Sequence, residues 1–90
     1  MKQILPVQIW YQGQIINATI FGLNVINDNL TNNAKFYFVL YSGTVNEPVI
    51  KLSDGNLTMS GSDYTTYSSS PDSNDFAYSW AANKLGLTLV

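Results

Sequence analysis

Ala34–Ser42 reads AKFYFVLYS, and the rest of the fold is best worked out from this stretch. With a period of two, Phe36, Phe38 and Leu40 line one face, while Lys35, Tyr37, Val39 and Tyr41 line the other. Aromatic and β-branched residues dominate it, and neither Gly nor Pro interrupts it. That composition predicts a central strand, apolar on one side and amphipathic on the other. The stretch specifies a piece of scaffold and no chemistry.

Outward from this strand, the flanks are turns. Asn27–Asn33, NDNLTNN, is a loop by composition, because Asn and Asp tolerate left-handed backbone and close Asx turns. A link this short joins antiparallel neighbours, so the preceding strand, about Gln14–Ile26, pairs antiparallel with the central one. In that strand Ile15, Thr19, Phe21, Leu23 and Val25 share a face, and Gly22 marks a bulge or a close backbone approach. Before it, Gln12-Gly13 forms a tight turn, and Gln3–Tyr11 is an alternating first strand. Leu5, Val7, Ile9 and Tyr11 fall on one face there, with Ile4, Gln8 and Trp10 on the other. Pro6 lacks an N–H and belongs at an edge or on the unpaired side.

On the other flank, Ser42–Pro48 is a turn and Val49–Ser60, VIKLSDGNLTMS, admits two readings. Asp54-Gly55 is a strong hairpin signal, giving arms Val49–Ser53 and Asn56–Ser60. The alternative is one long strand bulged at Gly55, which brings Ile50, Leu52, Leu57 and Met59 to a common face. The long form matches the second strand in length and is preferred. The last third changes period. Gly61 ends the strand, Ser62 or Asp63 can cap a short helical turn through Tyr64 and Tyr67, and Ser68–Pro71 is a loop. Asp72 is the predicted N-cap of a helix over Ser73–Leu85, with Asp75 in its first turn, Lys84 in its last and Gly86 as the left-handed stop. Phe76 and Trp80, and Ala77, Ala81 and Leu85, form adjoining apolar rows on it. Leu87–Val90 returns to the sheet as a short strand. The fold class is therefore α+β: one domain over 1–90, an antiparallel sheet of about four strands with one C-terminal helix packed on a face.

Ninety residues remove only about 60 to 65% of the unfolded chain's surface from water, so a neighbour covering apolar surface adds stability. Charged residues make up 11% of the chain, against about 25% in an ordinary domain. Asn, Ser, Thr, Gln and Tyr supply the polar surface instead, which is hydrated but weakly self-repelling. The net charge is −2, the only basic residues are Lys2, Lys35, Lys51 and Lys84, and Arg is absent. Nucleic-acid binding needs clustered positive charge, so no nucleic-acid partner is expected. Pro6, Gln8 and Gln12 break up any export-signal core after Ile4-Leu5, and no run reaches the roughly 18 apolar residues of a spanning helix. No membrane partner is expected, and folding in a cytoplasm without processing is.

Chemistry is poorly provided for. With no Cys there is no thiolate or cysteine metal site, and with no His the commonest general base and transition-metal ligand are missing. Asp72 and Asp75 in PDSNDF could be an acid–base pair or part of a calcium loop. An EF-hand needs Gly and Glu where Ala77 and Asn83 stand, so helix capping is the better reading. Asp54 reads as a turn residue and Glu47 as solvated. Serines lack a histidine to activate them, GxSxG is absent, no lysine context marks a depressed pKa, and the glycines are too scattered to cradle phosphate. Three Asn-x-Thr sequons at Asn17, Asn29 and Asn56 follow from an Asn/Thr-rich composition. The expectation is a non-enzyme with no cofactor, no metal and no catalytic residues.

Aromatic residues, 13% of the chain, are the informative ones. Phe21, Phe36, Phe38, Phe76 and Trp80 read as core. Trp10, Tyr11, Tyr37, Tyr41, Tyr64 and Tyr67 are the candidate interface residues, since Tyr and Trp give large contact area at low entropic cost. Trp10 and Tyr11 point to opposite faces, so one of them at most faces the main core. Two readings of these rings stand side by side: contact with other subunits, or a platform for glycans or peptides. The platform requires two or three coplanar rings open to solvent.

The C-terminal part, GNLTMSGSDYTTY followed by DSNDFAYSWAANKLGLTLV, resembles small accessory structural proteins of tailed-bacteriophage particles. The shared pattern is a strand closing in Gly-x-Asp-Tyr, an acidic loop, an aromatic helix and a terminal Leu-x-Leu. It is carried here by Leu57, Thr58, Gly61, Asp63, Tyr64, Asp75, Tyr78, Trp80, Leu85, Leu87 and Leu89, under half the chain. The resemblance implies a virion component, at the head or the tail, whose partners are other virion structural proteins or copies of itself. It carries across no catalytic or ligand residue.

Overall fold

The computed structural model describes residues 1–90. Four strands, β1 (Lys2–Tyr11), β2 (Gln14–Asp28), β3 (Asn33–Gly43) and β4 (Pro48–Ser60), precede two helices, α1 (Gly61–Ser69) and α2 (Ser73–Leu85). The strands form one antiparallel meander in the order β1-β2-β3-β4, and both helices pack on one face of it. The α+β class thus stands. The helical layer contains two helices rather than one, because the expected turn around Tyr64 is a nine-residue helix. Ser, Thr and Gly are weak helix formers, so its length is set by burial of Tyr64 and the Tyr67 ring against Phe36. Neither Ser62 nor Asp63 is its N-cap. Ser60 occupies that position without a side-chain bond, and the Asp63 carboxylate accepts from Trp80 Nε1 instead, at 3.2 Å.

β1 turns into β2 through Gln12 (φ 47°) and Gly13 (φ 82°), the paired positive dihedrals of a type I′ hairpin. The core faces of β2, β3 and β4 meet in register: Phe21 opposite Leu40, Leu23 opposite Phe38, and Phe36 opposite both Val25 and Leu57. Four register shifts interrupt the ladders, one in β1, one in β2 and two in β4. In β1 two extra residues fall between Gln3 and Val7, around Pro6, so Ile4 is 1% exposed and Leu5 turns outward at 53%. This corrects the predicted faces of Leu5 and Ile4. Ile26 is the extra residue of β2, whose ladder runs on to Asp28.

In β4 the hairpin alternative does not form. The strand is continuous, and its extra residues fall at Leu52, between the Lys51–Tyr41 and Ser53–Leu40 pairs, and between Pro48 and Lys51, not at Gly55. Gly55 pairs regularly with Phe38, and a Cβ there would lie 2.8 Å from the Phe38 ring. Gly at this position leaves room for an aromatic ring of the neighbouring strand.

Asp72 caps α2 by accepting from Asp75 N at 3.0 Å, and Gly86 (φ 72°) closes it, with Leu87 N returning to the Ala82 carbonyl at 2.8 Å. Ala77, Ala81 and Ala82 let the helix approach closely, and Tyr78 and Trp80 reach into the core beside them. After Gly86 the chain returns along β1, where Leu89 bridges Ile4, Leu5 N donates to the Thr88 carbonyl and Val90 N to that of Gln3. The predicted terminal strand is thus a single bridge that covers part of the β1 edge.

Tyr78 is a core residue that the apolar rows of α2 leave out. Its ring meets Phe21 edge-on at 5.4 Å, and its hydroxyl accepts from Leu23 N at 3.1 Å, past the point where β1 stops pairing with β2. Tyr78→Phe keeps the ring but strands a buried donor. We expect it to cost about 1–3 kcal/mol in urea unfolding, with the m-value unchanged. An unchanged midpoint would show that the Leu23 amide finds another partner.

Candidate interaction surface

The six candidate residues do not converge on one surface. Tyr64 is buried, its hydroxyl donating to Asp28 Oδ1 at 2.7 Å, and the half-buried Tyr67 packs on Phe36 and Tyr64. Both belong to the helical layer of the core. Tyr11 is half-buried and packs with Val7, Ile9 and Ile16 against the core. Tyr37 and Tyr41 lie on the opposite side of the sheet, half-buried, on either side of Val39. Trp10 alone is broadly open, at 73%.

Trp10 stands directly opposite Ile15 on the β1–β2 hairpin, and Ile15 is 61% exposed. The pair forms an apolar spot on the outward face of a two-strand arm, beside Gln8 and Asn17, which also pair across it and are exposed. No charged residue lies between Lys2 and Asp28. An exposed Trp–Ile pair without a charged rim is a surface that gains by being covered. Behind β2 and β3, Ile20 and Val39 are also buried, although they face away from the helices. Ile20 lies opposite Tyr41, Val39 opposite Gly22, and Met1 reaches to within 3.6 Å of where a Gly22 Cβ would sit. The helix-free face therefore has a thin apolar layer of its own.

Two ion pairs form on this protein, Lys51–Asp54 within β4 and Lys2–Asp75 between β1 and α2. Tyr37 donates to Asp54 Oδ2 at 2.6 Å, with Lys51 Nζ at 3.6 Å from the same oxygen. That hydroxyl bond, with the Lys51 charge adding to it, holds the Asp54 carboxyl below its ordinary value near 3.8. Lys2 Nζ bonds Asp75 Oδ1 at 2.8 Å, joins β1 to α2 and lowers the Asp75 carboxyl likewise. A carboxyl depressed on folding contributes stability that is fully present above its unfolded pKa and is lost as pH falls through the folded one. Lys2→Met is therefore expected to melt lower than the parent at neutral pH, the gap closing as pH falls below about 4. A gap constant over that range would dismiss the Lys2–Asp75 pair as a source of stability. In the alkaline direction the sign reverses. The bond to Asp28 raises the Tyr64 hydroxyl, burial raises that of Tyr67, and the bond to Asp54 raises that of Tyr37. Their protonated forms favour the fold below about pH 10, a contribution lost as pH rises through the raised values.

One cleft of about 270 Å³ opens where α2 begins, lined by Leu23, Val25, Phe36, Tyr67, Ser73, Asn74 and Ala77. Its walls are apolar except for Ser73 and Asn74, and the Ser73 hydroxyl donates to the Tyr67 carbonyl at 3.1 Å. It contains no carboxylate or amine. No three Asp or Glu side chains come together to hold a metal ion, and no helix is long and apolar enough to cross a membrane. Comparison with family models, with curated proteins and with solved structures returns no match for this chain.

Proposed function

We propose that this chain is a non-catalytic structural subunit of a larger assembly, acting through protein–protein contacts. The C-terminal resemblance points to a tailed-bacteriophage particle, as a head decoration, fibre-base, head–tail or tail accessory component. Its partners are other virion structural proteins, copies of itself, or both. The observation that carries the reading is the open Trp10–Ile15 pair on an arm with no charged residue to keep it in water. Trp is among the residues most enriched at the centres of such contacts, where it fills a pocket and excludes solvent. Tyr37 and Tyr41 add amphipathic area on the helix-free face, whereas Tyr64 is already committed to the core.

A glycan platform is less well supported. None of the four close ring pairs includes Trp10, Tyr37 or Tyr41, and stacking on a sugar needs adjacent open rings. The structural role predicts stoichiometric copies in purified native particles, each burying at least about 1,000 Å² against its neighbours. A monodisperse monomer that never co-purifies with particles would defeat it.

A further inference from the structure

The two edges of the sheet are treated differently. Along β1, Pro6 removes a donor, the bulge around it breaks the line, and the C-terminal tail covers the stretch around Ile4. β4 is the other edge. Its backbone pairs with β3 alone, and no backbone bond from Lys51 to Ser60 reaches a tail, loop or helix on the outer side. A row of unpaired N–H and C=O groups is a template for another strand.

The bulge at Leu52 limits which strand can use it. Before it, Ile50 and Leu52 face the core and Lys51 faces away; after it, Gly55 and Leu57 face the core and Asp54 and Asn56 face away. A second β4 laid antiparallel must keep each opposed pair on a common face. Through both bulges this holds when the two-fold axis passes between Leu52 and Ser53. Leu52 then lies opposite Ser53 of the second copy, Lys51 opposite its Asp54, and Ile50 opposite its Gly55. Lys51 and Asp54 are the only charged residues of β4, and this register sets each against its opposite, twice. On the core side, Ile50 of the second copy comes beside the Gly55–Phe38 contact, which lies at the open edge.

We propose that β4 is a self-docking edge, which pairs antiparallel with β4 of a second copy about an axis between Leu52 and Ser53. The inference deepens the structural reading, on which it rests, by naming one of its partners. The contact is isologous and short, so it is weak for two free chains and gains strength where many copies are held together.

The test uses sedimentation of the full chain, up to roughly millimolar concentration, the weak end of the affinity range. Two variants, Lys51→Asp and Asp54→Lys, are each measured alone and mixed. Each alone sets like charges against one another across the axis, and its self-association is expected to weaken about tenfold or more. Mixed, the two variants set the paired carboxylates of one chain, at positions 51 and 54, against the paired ammonium groups of the other. A heterodimer at least as tight as the parent dimer is expected. The internal Lys51–Asp54 pair is lost in both variants, so only a contact between chains recovers on mixing. A parent chain that stays monomeric throughout, or variants whose mixture gains nothing, overturns the inference. If those variants nonetheless enter particles, the edge pairing fails and the structural role survives. Absence of the parent chain from particles would instead strike at the structural role itself.

Discussion

Phe21→Ala is expected to lower the unfolding free energy by about 3–5 kcal/mol, the largest loss available from a single side chain of this protein. Phe21 is fully buried, lies opposite both Lys2 and Leu40, and meets the Tyr78 ring edge-on. It therefore joins three strands to α2. Truncation removes its transfer free energy and leaves a void that a strand backbone, bonded on both sides, closes only in part. A domain of this size holds about 5–15 kcal/mol in total, so the variant is expected to be partly unfolded at about 37 °C, with a melting temperature lower by well over roughly 10 °C. Phe21→Leu, which keeps most of the volume, should fall between the two. Chemical denaturation followed by far-UV circular dichroism reads the effect, and a Phe21→Ala loss below about 1 kcal/mol would contradict the packing around Tyr78.

Trp10→Ala is expected to do the reverse, leaving the fold intact while weakening the contact proposed for this arm. An open side chain away from caps and networks costs within about 0.5 kcal/mol of stability when truncated, so the melting temperature should barely move. If Trp10 is the anchor of a contact, the same change costs that contact about 2 kcal/mol or more, roughly a thirtyfold loss in affinity. Incorporation into particles, measured by competition between tagged parent and variant copies, separates the two quantities. Equal incorporation would move the contact to another surface, and a large fall in melting temperature would place Trp10 in the core. Ile15→Ala makes a companion with a smaller effect in the same direction, because it lies directly opposite Trp10.

Much of this surface is readable from alternation alone. Trp10 and Tyr11 are neighbours in an extended strand, so they must face opposite ways, and Tyr11 is the one that turns inward. Tyr37 and Tyr41 share the face of Lys35 and Val39 for the same reason. Tyr64 and Tyr67 are not separable from surface residues by sequence. They sit among Ser and Thr with no apolar neighbour to reveal a buried stripe, and only tertiary contacts, Tyr67 on Phe36 and the Tyr64 hydroxyl on Asp28, put them inside. The signal that could find them is their i, i+3 spacing directly after a strand, with the Asp63 carboxylate placed to receive a buried indole N–H.

Local chemistry along the chain is enough to specify the antiparallel order of the strands, the presence of a tight turn at Gln12-Gly13, the start and stop of α2, and the shortage of groups able to do chemistry. These depend on side-chain period, backbone freedom at Gly, caps within a few residues, and the absence of His and Cys. Packing between elements settles the rest: where alternation breaks at Pro6, Ile26 and Leu52, and hence that Ile4 is buried and Leu5 exposed, which edge of the sheet stays open, and which tyrosines are core. A bulge is placed by the partner strand and the layer beneath it, which no residue within the strand specifies. The same cause accounts for Gly55, whose missing side chain makes room for the ring of Phe38 on the neighbouring strand, not for a turn.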